Sequence, residues 1–332
     1  MNYLPISDNA ARQIIDATTI WAEYRKALAS ARPYAGGMYW KKEGFHEYLV
    51  KTYARNRQER MGARSAQTEK IYAEFHRHKA TTESRLESLT AALIEAQRQN
   101  KALRVGRTPE IVVSLLNAVR EAGLEEHSIV VGTHALYAYE TASGVRIVPG
   151  ALATQDVDLL WDARKRVQFV VDLGRDAGSM LTVLKRADSS FRRKSDEGQN
   201  ESAVNDKGFE VDFIRREVEE GDPHPFRFSA DEEDLWPVRA QHASLLAQSP
   251  AFVHPVISAT GKMATMRTVD PKTFVEFKRW MAEYAQNREP IKRRRDLLQA
   301  QIVQELLDEE LVNSRIPRVT VAPDCDSGGV AQ

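Results

Sequence analysis

The 332-residue sequence predicts an α/β (α+β) fold, a small mixed sheet flanked by N-terminal and C-terminal helical regions. Two observations point there. Between residues 106 and 235, short runs rich in β-branched and aromatic residues alternate with helical stretches, whereas on either side apolar residues recur at three- and four-residue steps within highly charged sequence. The expected organisation is a helical arm over residues 1–105, an α/β core over 106–235, a helical domain over 236–313 and a flexible tail over 314–332. A chain of this length exceeds one typical core.

Within the arm, "IYAEFHRHKATTESRLESLTAALIEAQRQNKAL" places Ile71, Phe75, Leu86, Leu89, Leu93 and Ala96 on one stripe. That is the pattern of one or two long amphipathic helices that pack on the rest of the chain or on a protein partner. Ahead of it, "PYAGGMYWKKEGFHEYLV" interrupts with Gly36-Gly37 and a group of aromatic residues, and reads as a turn or short hairpin. The core opens with "PEIVVSLLNAVREAGL", a helix introduced by Thr108 as its cap and Pro109 in its first turn. Next come "SIVVG" as a buried strand and "THALYAYETA" as a helix. "VRIVPG", "QDVDLLWD", "MLTVLKRAD" and "GFEVDFIRR" read as further strands, separated by helical "ARKRVQFVVDLGRDAG" and the polar loop "SSFRRKSDEGQNESAVNDKG". Past Trp236, "HPVISATGKMATMR", "PKTFVEFKRWMAEYAQ" and "IKRRRDLLQAQIVQELLDEELV" read as helices.

Lys plus Arg and Asp plus Glu number 47 each, so the whole chain carries no net attraction for nucleic acid or an anionic membrane. Any basic surface must be local. The single cysteine, Cys325, excludes a disulfide framework and a cysteine zinc site. The start "MNYLPISDNAARQIID" lacks the basic and then apolar pattern of a secretory signal, and no apolar run approaches membrane-spanning length. The expected setting is a reducing cytoplasm, with no membrane partner.

The chemistry concentrates in acids placed on strands. In "QDVDLLWD", Asp156 and Asp158 are two residues apart and project from the same face, while Val157 and Leu159 turn to the core. Two ionised carboxylates this close repel, and a cation between them relieves the repulsion. "FEVDFI" repeats the device: Phe209, Val211 and Phe213 lie on one face, Glu210 and Asp212 on the other. If the two strands pair, Asp212 becomes a third hard oxygen ligand, a set suited to Mg²⁺ or Mn²⁺ in a two-metal site. Upstream, Gly132 lets the backbone approach a phosphate, Thr133 offers a hydroxyl, and a helix N-terminus follows.

Gly132-Thr133, Asp156-Val157-Asp158 and Asp212 together resemble the core motif of the DNA polymerase β-like nucleotidyltransferase superfamily. The wording "GTHAL" and "TQDVDLL" looks most like stand-alone bacterial members, a group that includes toxin components of toxin-antitoxin and phage-resistance systems. Thr133 stands where the family often has serine, and the longer gap to Asp156 implies an inserted hairpin around "SGVRIVPG". The resemblance implies transfer of a nucleotidyl group from a nucleoside triphosphate to an acceptor hydroxyl with release of pyrophosphate. Asp156 and Asp158 would bind both metals, and Asp212 would bridge the catalytic metal and help activate the acceptor. RNA ends (a tRNA by family analogy), a protein side chain, a small molecule such as an aminoglycoside and self-modification all remain open as acceptors.

Further residues are weighed for nucleotide binding. Arg192, Arg193 and Lys194 lie between the acidic strands, within reach of triphosphate or simply in a solvated turn. Lys262 follows a glycine at an expected helix start, and in related enzymes a lysine from the C-terminal region contacts the triphosphate. The run Lys292 to Arg295 reads as an exposed helix face, and His134 as a residue with an ordinary hydrogen bond. Two rival readings stand beside the transferase. One is a metal-dependent glycosyltransferase, which shares Asp-x-Asp. The other is a regulatory or antitoxin-binding module whose core only binds a nucleotide.

Overall fold

The computed structural model describes residues 2–53, 57–161, 173, 178–194, 202–217, 228–229, 231 and 234–313. Two compact units divide the chain, one combining Met1–Ile14 with Gln99–Ile316 and the other built on Ile15–Arg98. The first unit takes β1 (Tyr3–Pro5) and the start of α1 (Asp8–Ala31). Most of α1 lies in the second unit with β2 (Gly37–Glu43), β3 (His46–Thr52), β4 (Gln58–Ala63) and most of α2 (Ala66–Ala102).

In the second unit, β2, β3 and β4 form an antiparallel meander, so the expected short hairpin carries a third strand. Met38 and Leu49 on its inner face bury against Phe75 of α2, with Tyr34, Trp40, Ile71 and Tyr72 packed around them. Trp21 and Ala27 of α1 are also buried, and Glu23 of α1 pairs with Arg85 of α2 at 2.7 Å.

The first unit continues with α3 (Glu110–Glu121), β5 (Ser128–Val131), a 3-10 turn at Gly132–Ala135, α4 (Leu136–Ser143), β6 (Val145–Ile147) and α5 (Pro149–Leu152). There follow β7 (Asp156–Trp161), α6 (Met180–Ala187), β8 (Arg192–Arg193), β9 (Ser202–Val204), β10 (Glu210–Arg215) and β11 (Val238–Arg239). The unit ends with α7 (Ala243–Gln248), β12 (Ala251–Ile257), β13 (Met263–Val269), α8 (Pro271–Glu283) and α9 (Pro290–Asp308). Its main sheet has the order β12-β13-β5-β7-β10-β9-β8, with β11 added beside β10. The sheet is mixed: β5 is parallel to β13 and antiparallel to β7, and β7 is parallel to β10.

Several local expectations give way to tertiary pairing. "HPVISATGKMATMR" is not a helix but most of the β12–β13 hairpin, turned at Gly261 with φ +85°. Its Ala and Met content suits a helix, yet pairing of Thr268 with Val130 draws it into the sheet as a strand. The region after 236 therefore shares one sheet with the core. "MLTVLKRAD", expected as a strand, is α6, capped by the Ser179 hydroxyl on Thr182 N–H and by the Asp234 carboxylate on Met180 and Leu181 N–H. "SGVRIVPG" is not a hairpin, because β6 pairs with β1 from the N-terminus. Pro109 rather than Thr108 takes the cap position of α3, and the polar loop contains β8 and β9. Of "ARKRVQFVVDLGRDAG", all but residues 173 and 178 lie outside the described residues.

The core of this unit is one contiguous cluster. Tyr139, fully buried, donates its hydroxyl to Val269 O at 2.7 Å and meets Phe252 and Phe274 edge to face. Each such ring contributes about 1.5–3 kcal/mol of burial free energy. α8 starts on Asp270, whose carboxylate accepts from Lys272 N–H, followed by Pro271. Among the described residues no helix is long and apolar enough to cross a membrane.

Candidate active site

The parallel register of β7 and β10 sets Asp156 opposite Glu210 and Asp158 opposite Asp212. Alternation buries Val157, Leu159, Val211 and Phe213 and leaves the acids partly exposed on the other face. One carboxylate oxygen from each of Asp156, Asp158 and Asp212 lies within 4.8 Å of the others. β5 brings up the third side: Val131 pairs with Asp158, and Gly132 follows with φ +69°. A Cβ at this position would be strained and would collide with Asp158 Oδ2, which is why the turn needs glycine.

Burial, reinforced by the charges of Asp156 and Asp212, pushes the Asp158 carboxyl up to about 7. Lys278 and Arg288 pull it the other way without cancelling the rise. Asp212 is also raised, first by burial and then by Asp156 and Glu210, although the Ser202 hydroxyl donates to its Oδ1 at 2.6 Å and opposes the shift. The Thr154 hydroxyl donates to Asp156. The cluster thus holds more negative charge than its neighbours neutralise. Three hard carboxylate oxygens suit magnesium or manganese, so the residues fit a divalent cation.

The other expected residues divide. Thr133 is buried, and its Oγ1 accepts from Gln299 Nε2 at 3.1 Å. Because β8 pairs with β9 and β9 with β10, Arg192, Val204, Glu210, Ser202 and Asp212 share one face. Arg192 and Lys194 alternate onto that face and Arg193 onto the opposite one. Lys194 Nζ reaches both Glu210 oxygens at 2.9 Å, and Arg192 pairs with Asp206 at 2.6 Å. Lys262 is not at a helix start. It occupies the β12–β13 turn and pairs with Glu110 at 2.8 Å. Thr268 marks the level of Val130, and Lys262 precedes it by six residues, so the lysine stands roughly 20 Å along the strand, at the sheet end away from Gly132.

Other residues here were not legible as parts of the site. Gln299, fully buried on α9, also donates to Ala151 O at 2.6 Å, and its Oε1 has no hydrogen-bond partner among the described residues. Lys278 of α8 and Asp296 of α9 are buried together, Nζ to Oδ1 at 2.9 Å, with Arg288 on the second oxygen at 2.8 Å. Their one sequence signal is position: Asp296, Gln299 and Val303 fall on one helical stripe with polar residues where apolar ones belong. The basic run beside them is only partly a solvent face, since Arg293 caps α8 by donating to Ala282, Glu283 and Ala285 carbonyls. His134 is enclosed against Phe209, without a hydrogen-bond partner at either ring nitrogen among the described residues, and burial lowers it to about 4. It is neutral at physiological pH.

No curated protein and no solved structure shows significant similarity to the chain. The profile of a family described as nucleotidyltransferase matches residues 110–318, more than half of the sequence and every site residue from Gly132 to Gln299. The chain therefore belongs to this nucleotidyltransferase family and is a transferase of nucleotidyl groups.

Proposed function

We propose that the protein is a metal-dependent, polymerase β-like enzyme that moves a nucleotidyl group from a nucleoside triphosphate to a hydroxyl on a separate acceptor, RNA, protein or small molecule. The observation that carries this reading is the in-register meeting of Asp156, Asp158 and Asp212 opposite the Gly132 turn. The three aspartates would hold Mg²⁺ or Mn²⁺, which supplies charge neutralisation for the triphosphate and the departing pyrophosphate. The main chain at Gly132 and the Thr133 hydroxyl, held by Gln299, position the triphosphate. Thr133 accepts from Gln299, so its own proton is the one directed to a phosphate oxygen. Arg192 and Lys194 add positive charge on the same face. Asp212 orients the acceptor hydroxyl and helps remove its proton as the new oxygen–phosphorus bond forms and the bond to pyrophosphate breaks.

Incubation with each α-labelled nucleoside triphosphate, Mg²⁺ or Mn²⁺, and bacterial RNA, protein and small-molecule fractions tests the reading, with the Asp156→Ala/Asp158→Ala double variant as control. Label moved by the wild type alone supports it and names the acceptor class. Triphosphate binding with no transfer under either metal overturns it in favour of a nucleotide-binding regulatory module. Turnover of a nucleotide sugar would favour a glycosyltransferase. The toxin-type members in the resemblance make growth arrest on induced expression the cellular outcome to look for.

A further inference from the structure

The second unit carries a feature that nucleotidyl transfer does not use. Residues 32–64 contain eight Lys or Arg against three Glu, a surplus of five positive charges in a chain whose total is zero. The same residues hold Tyr34, Tyr39, Trp40, Phe45, Tyr48 and Tyr53. The meander puts its apolar side chains Met38 and Leu49 under α2; alternation leaves Tyr39, Lys41 and Tyr48 on the outer face, and a register shift between Leu49 and Val50 brings Arg60 onto it. Cross-strand register supports this grouping: Tyr39 is opposite Val50, Val50 opposite Arg60, and Lys41 opposite Tyr48.

Cations and rings are already paired in stacking geometry. The Arg60 guanidinium sits 3.1 Å from the Tyr48 ring centroid, and Arg57 lies 4.5 Å from that of Tyr53. At the β2–β3 turn, Phe45 is fully exposed beside Gly44. Lys41 and Arg60 both lean on one acid, Glu43, at 2.9 and 3.6 Å. Each of these groups is about half exposed, so the pairs are weak and exchange readily for phosphate.

We propose that the outer face of this three-stranded sheet is a docking surface for a single-stranded polynucleotide, with Tyr39, Tyr48 and Phe45 as base platforms and Lys41 and Arg60 on the phosphates. An acidic protein would satisfy the charge but not the exposed ring on a basic hairpin tip. Single-stranded nucleic acid satisfies both, because every base has a face to stack and every residue a phosphate. The surface stands independently of the transfer reaction, since none of its residues belongs to the carboxylate site.

The test is fluorescence anisotropy of labelled single-stranded RNA and DNA oligonucleotides on the full-length protein, in EDTA and without nucleoside triphosphate, across a salt series. Lys41→Glu/Arg60→Glu should weaken binding by about tenfold or more at low salt and lower the salt slope by about 1.4, the loss of two phosphate contacts. Tyr39→Ala/Phe45→Ala should weaken it by about fivefold or more with the salt slope unchanged. These are surface positions, and an unaltered melting curve confirms that each variant folds. The RNA and DNA arms tell the two polymers apart. Wild-type protein that binds neither oligonucleotide overturns the proposal, as does binding indifferent to both double variants. Polyglutamate competing as well as the oligonucleotide overturns it too, in favour of an acidic protein partner. Asp156→Ala/Asp158→Ala protein should bind as the wild type does, so failure of the transfer reaction leaves this result standing, and the reverse.

Discussion

Asp158 and Asp296 lie in the same unit, and they are opposite cases. Asp296 is fully enclosed, yet Lys278 and Arg288 occupy its two oxygens within 3 Å, and the triad joins α8 to α9. Asp158 is less enclosed by surface area, yet its immediate charged neighbours are Asp156 and Asp212, and its carboxyl is pushed up to about 7. A buried charge that the fold neutralises is part of the fold. A buried charge that the fold leaves unneutralised is held for something that binds, and the cost of keeping it there is the mark of a site.

The sharpest way to break this contrast is to neutralise each aspartate. Asp158→Asn should lower kcat/KM by about a thousandfold or more, since metal binding supplies several kcal/mol of transition-state stabilisation. The same change should leave the metal-free melting temperature at pH 8 unchanged or higher, because a repelled charge has gone. An active variant, or one that unfolds, would remove the distinction. Asp296→Asn should instead cost about 3–5 kcal/mol in urea unfolding, because Lys278 stays buried without its counter-ion. Stability within 1 kcal/mol of the wild type, roughly the scale of an ordinary surface change, would place Asp296 outside the framework of the fold.

Gln299→Leu sharpens the boundary between the two regions, because this residue stands on the stabilising helix but reaches the site turn. Loss of its bonds to Thr133 and Ala151 should cost about 1–3 kcal/mol and raise KM for the nucleoside triphosphate more than it lowers kcat. An unchanged KM in steady-state assays would confine Gln299 to stability.

The smallest expected effect is on pH. The folded pKa of Asp158 lies above its unfolded value, so its protonated form favours the fold. That contribution is complete below the unfolded pKa, near 3.9, and is lost as pH rises through about 7. In EDTA, melting temperature should therefore carry a decline from this group between about pH 4 and pH 7, levelling off above. Mg²⁺ or Mn²⁺, which competes with the proton, should raise the melting temperature more at pH 8 than at pH 6. Equal shifts at both values would show that the cation binds elsewhere.

How far the site could be read in one dimension follows from the range of the forces involved. Asp156, Asp158 and Asp212 were legible because the face of a strand residue is set by a period of two, a property of the local backbone. Gly132 was legible because a positive φ followed by a helix is a local requirement as well. Lys262 was misplaced because "SATGKMATMR" has helix-forming residues, and only pairing with β5 turns it into a hairpin that carries the lysine to the far end of the sheet. Gln299, Lys278 and Asp296 stayed hidden because a helix reveals its buried stripe only through apolar residues, and these polar groups earn burial from partners more than 100 residues away or on the facing helix.

The sequence by itself determined the alternation that puts three acids on one side of two strands, the glycine turn, the break at Gly36-Gly37 with its aromatic residues, and the long N-terminal helices. Each depends on backbone periodicity or on φ preference within a few residues. Tertiary structure alone decided that β7 and β10 lie in register with Asp158 opposite Asp212, that β12 and β13 complete the sheet, and that α8 and α9 bring a neutralised charge triad behind a carboxylate cluster left unneutralised. Those outcomes rest on burial and long-range pairing, whose free energies belong to contacts between distant segments and have no signature in either segment read alone.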